Sequence, residues 1–589
     1  MILSGLIVPS CLIVFALVWG FTSRLDNGAV AKRIVEKVVA LPPWLWIAVG
    51  SAAFTIPVFE YWITAKSHGN ALAGYLPWAD ATEYFQCAQT FLLGIDGPDH
   101  CGKRPYYIAL FADLLWLGGN DLQIALLLQA LIVGLAASLF TNSVSKAMGS
   151  AAALGCYATL FAFAAALCSG LVMTENAGLL LGILAIMLLL HSTPAPSTAP
   201  FLAGTALLAA AMSARPGPLF VLPALGLWYL AYGGGPLRRR VLIAVVAGVV
   251  SVLAMALVAS PALIAGGTFG STHSNLSYSL YGLVAGGKGW LQVTIDHPEI
   301  YERTATSQTD KVYALVLEKL WERPDLALYG YMKGVAKYFD ALFRYTSEFD
   351  PLRLVLIVIW ALGVTHALRH WRERRGSLPL FMLAGILVSS PFLIYDGHNR
   401  AFASVAPVDA LFVAMGIGWV VDRLAKSDAA TNLRPPLISS STQAVMLLIV
   451  LVFPVVMLAA ISPSQPFRAI AAPDCPGNAK AAVVRPAKGS PVLRLVGEQE
   501  QRSIFPLRVR AEHFASRMHK SVHRKEELAL PPGSKLVWGI RLDSKAPGKR
   551  IYFNWPGELP PAGRAAVFCI EFAPGTHVGT ATSIENAGR

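Results

Sequence analysis

Long apolar runs, interrupted by short basic loops, are the main pattern along the chain. A helix that crosses a bilayer needs roughly 20 apolar residues, and about twelve stretches reach or approach that length. A break is expected at 215–218, because the prolines of Arg-Pro-Gly-Pro remove backbone donors and clash with the preceding turn. The predicted spans lie near 3–21, 44–63, 120–142, 150–170, 176–191, 201–214, 217–232, 241–263, 353–368, 378–395, 401–421 and 441–462. The pattern therefore predicts a mainly α membrane protein, a polytopic helical bundle.

The composition of the 589 residues supports this interpretation. Apolar residues make up 55% of the chain and charged residues only 14%, with a mean hydropathy of +0.54. A soluble core or an intrinsically disordered chain would not have these values. The net charge is +13. Because the basic residues punctuate apolar runs instead of clustering in one polar domain, we expect no nucleic-acid partner.

The basic loops fall on one side of the predicted bundle. They lie at 24–37, 146, 238–240, 369–375 and 423–434. Short loops rich in Lys and Arg stay in the cytoplasm. We therefore expect a multi-pass protein of the plasma (inner) membrane, in which 64–119, 264–352 and the tail 463–589 lie outside.

The segments expected outside the membrane differ in character. Apolar residues recur at helical spacing over 310–345, which predicts amphipathic helices on the outer face. The tail is rich in Pro, Gly and Arg, and alternating runs predict strands of a small C-terminal β-rich extracytoplasmic domain; these runs are 534–542, 550–555 and 565–572. The expected divisions are an N-terminal span with its basic loop, a transmembrane core with a catalytic outer loop 64–119, an outer segment, further transmembrane helices and the tail: 1–43, 44–263, 264–352, 353–462 and 463–589.

Four cysteines fall in the segments expected outside. Cys87 and Cys101 share the first large outer loop, and Cys475 and Cys569 lie in the tail. Disulfides belong to oxidising compartments, so these four are candidate disulfide cysteines. Four cysteines permit three pairings, and free thiols are the alternative.

The first large outer loop carries the best candidate for a catalytic base. Asp80 stands just outside a span in aromatic surroundings, where partial burial raises the basicity of a carboxylate. Glu83 shares its face if the segment is helical. Lys103 and Arg104 follow, and their cations suit a phosphate. The alternatives are a helix cap or solvated aspartate, and cations that contact lipid headgroups.

The long outer segment supplies further candidates. It opens with a glycine-rich stretch that includes His273 and Asn275, and a second glycine-rich stretch contains Lys288. Glycines let backbone amides approach an anion, so Lys288 is a candidate ligand of a phosphate. Three aromatic residues could stack on a sugar or a prenyl chain, or form an interfacial belt: Tyr278, Tyr281 and Trp290.

Charges at the predicted outer ends of spans are costly and therefore functional candidates. Glu175 and Arg215 both occupy such positions, and a structural ion pair between them is the alternative. Asp396, His398 and Arg400 share a five-residue turn. We expect this turn to contact a sugar or phosphate, against the alternative of a solvated turn.

Several short motifs stand in one order on the same predicted side. They are Asp80-Ala-Thr-Glu-Tyr84, Arg104-Pro105-Tyr106, Thr174-Glu175, Ala214-Arg215-Pro216 and Asp396-Gly-His-Asn-Arg400. Over residues 45–425 this combination resembles the GT-C superfold of polytopic glycosyltransferases, similar to the mannosyl-, arabinosyl- and aminoarabinose-transferase group. The chain departs from the common arrangement in its additional N-terminal span, and in having Asp-Ala where a plain Asp-Glu pair is usual.

The resemblance implies transfer of a sugar from a polyprenyl-phosphate carrier to a cell-envelope glycan, lipid or protein on the outer face. Asp80, with Glu83, would be catalytic. The donor phosphate would meet Lys103, Arg104, Arg215, Lys288 and Arg400. The substrates would meet Tyr84, Tyr106, Glu175, His273, Asn275, Tyr278, Tyr281, Trp290, Asp396 and His398. No cofactor is certain, and a divalent cation stays open. The alternatives are a polysaccharide polymerase or ligase with a diphosphate-linked donor, and a lipid-linked-sugar transporter or flippase.

Overall fold

The computed structural model describes residues 43–64, 69–72, 74, 76–93, 99–194, 197–264, 275–301, 306–346, 350–425, 452–457, 459, 474–484, 492–496, 508–510, 535–541, 550–555, 557, 566–572 and 578–586. Most of these residues are helical, and a small sheet follows towards the C-terminus. Within the described ranges, six helices are long and apolar enough to cross a membrane: Trp44–Thr64, Leu122–Met148, Ser150–Leu167, Leu237–Leu263, Pro351–Arg369 and Arg374–Tyr395. By length and composition, the chain is a multi-pass membrane protein.

The first half of the described chain contains eleven helices and one short hairpin. The helices are α1 Pro43–Ala53, α2 Ile56–Thr64, α3 Asp80–Leu93, α4 Pro105–Leu117, α5 Leu122–Met148, α6 Ser150–Leu167, α7 Glu175–His191, α8 Thr198–Ala214, α9 Val221–Tyr232, α10 Leu237–Ala259 and α11 Pro261–Ile264. The hairpin pairs β1 Ala71–Leu72 with β2 Leu76–Pro77 and leads directly into α3.

The second half of the described chain continues with four helices in the segment 264–352, which we expect outside the membrane, and three helices after it. Those of the outer segment are α12 Asn275–Val284, α13 Gln292–Asp296, α14 Thr306–Glu322 and α15 Pro324–Ala341. The three that follow are α16 Asp350–Arg369, α17 Arg374–Gly397 and α18 Ala406–Ala425, with a 3-10 turn His398–Phe402 before the last of them.

Small residues let the apolar helices approach one another closely. A Cβ added to Gly363 on α16 would lie 1.9 Å from the Phe412 carbonyl oxygen of α18, and one added to Gly416 would lie 2.0 Å from the Ile359 carbonyl oxygen. Close backbone packing of this kind replaces the hydrophobic effect as a source of helix association in lipid. These contacts hold α18, and with it the turn that precedes it, against the rest of the bundle.

The C-terminal sheet is mixed. Its strands are β3 Lys480–Val484, β4 Val492–Val496, β5 Arg508–Arg510, β6 Lys535–Arg541, β7 Arg550–Asn554, β8 Ala566–Glu571 and β9 Val578–Asn586, in the order β3-β8-β9-β7-β6-β4-β5. The pairs β4–β5 and β7–β9 are parallel, and the others are antiparallel. A small core that includes Phe553, Phe568 and Ile570 lies on one face. The disulfide Cys475–Cys569 joins the segment before β3 to β8.

Several sequence predictions agree with these elements. The helix break is confirmed, since α8 ends at Ala214 and α9 begins at Val221. The predicted strands correspond to β6, β7 and β8, and the outer helices to α14 and α15. The predicted span 3–21 lies outside the described residues, and within 441–462 only 452–457 and 459 are described. The count of about twelve spans and the domain divisions therefore stay predictions.

Candidate active site

Asp80 is the first residue of α3. The Thr82 hydroxyl donates to the Pro77 carbonyl oxygen at 2.9 Å, which fixes the first turn of the helix against the hairpin. Ala79 has a positive φ of 50°, so the chain turns sharply just before the helix starts. The Asp80 side chain is 57% exposed. Its position is thus fixed by the backbone, while its carboxylate stays open to a ligand.

Arg400 connects two carboxylates that are far apart in the sequence. Its Nη2 donates to Asp80 Oδ2 at 3.3 Å, across a separation of 320 residues. Its Nε donates to Glu175 Oε1 at 2.5 Å, across 225 residues. Burial works against the charge of Arg400, but the carboxylates of Glu175 and Asp80 outweigh it and raise the pKa of this guanidinium above its usual value. Arg400 therefore remains a cation at every physiological pH.

Glu175 lies at the N-terminus of α7, and its side chain is fully buried. Its Oε1 also faces Arg215 Nη2 at 3.6 Å, and its Oε2 accepts a hydrogen bond from the Thr174 hydroxyl at 3.3 Å. One carboxylate thus lies between two guanidiniums. We call Asp80, Glu175, Arg215 and Arg400 the central cluster.

Arg215 caps the C-terminus of α8 and is held tightly by its neighbours. Its side chain is only 10% exposed. A Cβ added to Gly178 would lie 2.9 Å from Arg215 Cβ, so the glycine on α7 makes room for the arginine stem. Among the described residues, the buried Arg215 Nε has no hydrogen-bond partner. The central cluster therefore has donor capacity left for a ligand.

A second set of hydrogen bonds connects α4 and the loop before Glu175 to α5. Tyr107 on α4 donates to Gln129 Oε1 at 3.0 Å, and Gln129 Nε2 donates to the Leu171 carbonyl oxygen at 2.9 Å. Gln129 lies two turns beyond the start of α5, about 10 Å along the helix axis. Leu171 shortly precedes Glu175. The loop that leads to Glu175 is therefore hydrogen-bonded to α5 about two turns beyond the start of that helix.

The disulfide Cys87–Cys101 ties α3 to the segment that precedes α4. This crosslink brings Arg104, which is buried, to the side of α3 that carries Tyr84. Burial raises the pKa of Tyr84 to about 12, and the charges of Arg104 and Asp80 also act on the phenol. Tyr84 is therefore a neutral hydrogen-bond donor beside the central cluster.

The other residues predicted in the first outer loop have different surroundings. Glu83 is exposed on α3, one turn after Asp80, so the helix that would place the two on one face is present. Lys103 is half-buried in the 3-10 helix before α4. Tyr106 is fully buried in the apolar core. Of these three, only Glu83 presents its side chain openly to the exterior.

Residues predicted in the long outer segment belong to a separate small core. Tyr281 is buried there and donates to Asp296 Oδ2 at 3.0 Å. Tyr278 and Trp290 pack edge to face with ring centroids 6.2 Å apart. Lys288 is exposed, and within the described residues no hydrogen bond or ion pair joins it to the central cluster.

The glycine-rich turn before Lys288 serves the packing of helices. Gly286 and Gly287 have φ of +85° and +69°, and their amides both donate to the Leu283 carbonyl oxygen. A Cβ added to Gly330 on α15 would lie 2.7 Å from Gly287 N. These amides are thus occupied within the protein, and the glycines permit close approach to α15.

Four predicted residues fall outside what the structure describes. His273 lies in the undescribed stretch 265–274, and the side chains at Asn275, Asp396 and His398 are not described either. Their roles stay predictions.

Two contributors to the cluster were not predicted from the sequence. Gly178 has no signal of its own, because its importance depends on Arg215 of another helix. Gln129 does have a signal, since an isolated amide in a long apolar run needs a buried hydrogen-bond partner.

The residues present do not form an obvious metal centre. Within the described part of the chain, no group of three or more His, Cys, Asp or Glu side chains is placed to hold a metal ion. Asp80 and Glu175 both contact Arg400, so an organic cation already compensates their charge.

No protein-family model and no curated protein matches the sequence. Among solved structures, the chain is similar to an oligosaccharyltransferase from Archaeoglobus fulgidus. Its complex with zinc and sulfate shares 13% identity over 71% of this chain and 53% of that chain, with a TM-score of 0.38. The same enzyme tethered through a disulfide to an acceptor peptide with the NVT sequon shares 14% identity over 72% and 55%, with a TM-score of 0.37. This chain thus matches about half the length of that enzyme. Scores this low do not establish a shared fold.

Proposed function

We propose that the protein is an integral membrane glycosyltransferase with a GT-C-like arrangement. It moves a sugar from a polyprenyl-phosphate carrier to a glycan, lipid or protein acceptor on the extracytoplasmic face. The single observation that supports this proposal is the meeting of Asp80, Glu175, Arg215 and Arg400 at one place. These residues come from four of the motifs that resemble the GT-C group.

The chemistry of glycosyl transfer needs a base beside the attacking hydroxyl. The acceptor oxygen bonds to the anomeric carbon, while the bond from that carbon to the phosphate oxygen breaks and its electron pair leaves with polyprenyl phosphate. The hydroxyl proton must go to a positioned group, and Asp80 is the exposed carboxylate of the cluster. Arg400 holds one oxygen of Asp80, which fixes the direction of the other.

The leaving phosphate needs cations where negative charge develops. Arg215 and Arg400 supply two guanidiniums whose geometry suits phosphate oxygens, and the buried Glu175 holds both in place. Arg104 and Lys103 follow on the disulfide-tied segment. Arginines held by a buried carboxylate need little reorganisation when the donor binds. Because negative charge grows on the leaving phosphate as the bond breaks, they stabilise the transition state more than the ground state.

The position of the cluster suits a donor that arrives through the lipid. It lies at the N-terminus of α7 and the C-terminus of α8, and the loop before α7 is hydrogen-bonded to the apolar helix α5 about 10 Å beyond its start. A prenyl chain can remain among apolar helices while its phosphate reaches the guanidiniums. The small C-terminal domain, which we expect outside the membrane, would meet the acceptor.

The experiment uses the full chain in proteoliposomes with polyprenyl phosphates that carry radiolabelled mannose, arabinose or aminoarabinose. Envelope fractions from cells that lack the gene provide the acceptor. Transfer of label from one of these donors into the envelope fraction is the expected result. The donors are also tested without acceptor. Movement of intact labelled lipid across the bilayer, with no transfer when acceptor is added, would instead identify a flippase.

A polyprenyl diphosphate carrying an oligosaccharide tests the polymerase or ligase alternative. If only this donor gives product, and Asp80→Asn is as active as the natural protein, the general-base proposal is wrong. Asp310→Asn, an exposed aspartate on α14, is the matched control for the loss of one carboxylate.

A further inference from the structure

The helix α15 is apolar on two opposite faces. Its inward face packs on the protein through Gly330, Gly334 and Tyr338, which are buried. Its outward face exposes an apolar stripe at helical spacing: Leu328 at 66%, Tyr329 at 60%, Met332 at 59% and Phe339 at 44%. Large apolar side chains that are exposed in one continuous stripe mark a surface that contacts lipid or another protein. The outward stripe therefore requires an apolar partner.

Two of the neighbours of α15, α16 and α17, contain candidate membrane spans. Tyr395 at the end of the candidate span in α17 donates its hydroxyl to the Gly330 carbonyl oxygen at 2.8 Å. The Phe339 ring lies 6.5 Å from the Trp360 ring of α16, another candidate span. This helix in turn exposes apolar residues of its own, Leu354, Val355 and Val358. The stripe thus adjoins a surface that lipid covers.

The acidic and basic residues of α15 differ in whether they form ion pairs. Asp325 pairs with Arg323 at 2.9 Å and Asp340 pairs with Arg344 at 3.1 Å, so both acidic residues of the helix are compensated.

The two lysines of α15 have no such compensation. In the described part of the chain neither Lys333 nor Lys337 has an ion pair. Lys333 Nζ lies 5.7 Å from the centroid of the Tyr329 ring, and Lys337 Nζ lies 4.6 Å from that of Tyr395. Each of the two half-buried lysines thus places its ammonium near an aromatic ring, without an anionic partner among the described residues.

We propose that α15 is an interfacial docking surface for an anionic phospholipid of the adjoining leaflet. The acyl chains pack on the stripe Leu328–Phe339, and the lipid phosphate binds Lys333 and Lys337. Interfacial helices bind membranes in this way, with apolar side chains in the acyl region and lysines extended to the headgroups. The inference goes beyond the proposed glycosyl transfer and does not depend on it.

The test measures lipid binding to the purified full chain by native mass spectrometry. The probes are phosphatidylglycerol and phosphatidylcholine with identical acyl chains. We expect the natural protein to retain phosphatidylglycerol, and we expect the double variant Lys333→Gln/Lys337→Gln to bind it roughly tenfold more weakly. Binding of phosphatidylcholine should be the same in both. Lys311→Gln, an exposed lysine on α14, is the matched control and should bind phosphatidylglycerol normally.

Two results would overturn the proposal. One is a folded double variant, with an unchanged unfolding temperature, that binds phosphatidylglycerol as the natural protein does. The other is displacement of phosphatidylglycerol by an equimolar amount of polyprenyl phosphate from the natural protein but not from the double variant. That displacement would assign the surface to the prenyl carrier instead of to a membrane phospholipid.

Discussion

Two polar networks in this protein contain carboxylates bound by cations, but they are built differently. In the central cluster, Asp80, Glu175, Arg215 and Arg400 come from segments up to 320 residues apart. In the other, which we call the outer network, Tyr281, Gln292 and Lys319 surround Asp296 within one short segment.

The two networks also differ in whether their polar atoms have partners within the protein. Tyr281 and Gln292 donate to the two oxygens of Asp296, at 3.0 and 2.7 Å, so each oxygen of this carboxylate has a donor within the protein. In the central cluster, the Asp80 side chain is mostly exposed, and Arg215 Nε has no partner among the described residues. A local network, in which each carboxylate oxygen has a partner within the protein, stabilises a small core. A convergent network with unused atoms is suited to binding a ligand.

The largest expected difference concerns Arg400 and an arginine that has only a surface role. Arg400→Gln should lower sugar transfer by roughly 100-fold or more, because a preorganised donor at the leaving phosphate is lost. Arg344→Gln removes an exposed partner of Asp340 and should leave transfer unchanged. Initial rates with a labelled prenyl-linked sugar measure both. Equal rates for the two variants would contradict a catalytic role of the central cluster.

Loss of the charge of Glu175 should reduce the free energy of unfolding more than loss of the charge of Asp296. Glu175→Gln leaves two guanidiniums around a neutral amide, and should lower the free energy of unfolding by about 3 kcal/mol. Asp296→Asn acts on a side chain that is 30% exposed, and should cost less than about 1 kcal/mol. Unfolding in detergent, followed by circular dichroism, gives both values. A smaller loss for Glu175→Gln than for Asp296→Asn would contradict the account.

A smaller effect is expected when Gly178, which packs against the stem of Arg215, is replaced. Gly178→Ala places a Cβ 2.9 Å from Arg215 Cβ, which must move the guanidinium away from Glu175. We expect KM for the lipid-linked donor to rise by several-fold, on the order of 1 kcal/mol of binding, with a smaller change in kcat. Gly226→Ala on α9 is the matched control, because nothing lies within 4 Å of its added Cβ. An unchanged KM in Gly178→Ala would show that the exact place of Arg215 does not matter.

The smallest effect is the pH dependence that Asp296 of the outer network gives to stability. Burial of Asp296 acts in the opposite direction, but hydrogen bonds from Gln292 and Tyr281, together with Lys319, keep its pKa below the usual value. A depressed folded-state pKa contributes stability above the unfolded pKa of about 4, and this stability is lost as the pH falls through the folded value. The natural protein and Asp296→Asn should therefore differ slightly in unfolding temperature at pH 7 and converge below about pH 4. A difference that is constant with pH would contradict this assignment.

Local signals in the sequence predicted much of the fold. The prolines at 216 and 218 predicted the end of α8, and alternation of apolar residues predicted β6, β7 and β8. Strands such as β5 were missed, because three residues are too few to show a period. The pairing β3–β8 joins segments far apart in the sequence, which no local pattern reveals.

The site could be predicted only in part, for the same physical reason. The sequence suggested a Glu175–Arg215 pair, and the structure shows it at 3.6 Å. It did not suggest that Arg400 joins Asp80 to Glu175, because that contact depends on how α3, α7 and the turn before α18 pack. Lys288 was grouped with the phosphate ligands on the strength of its glycines, whereas these glycines pack against α15.

The central claim is that Asp80 is the general base of a sugar transfer at the central cluster. The most direct measurement is the transfer rate of folded Asp80→Asn in proteoliposomes with a labelled polyprenyl-phosphate sugar, beside Asp310→Asn as control. The account predicts a loss of roughly 100- to 10,000-fold for Asp80→Asn, with donor binding retained, and no loss for the control. Full transfer activity in a correctly folded Asp80→Asn protein would contradict it.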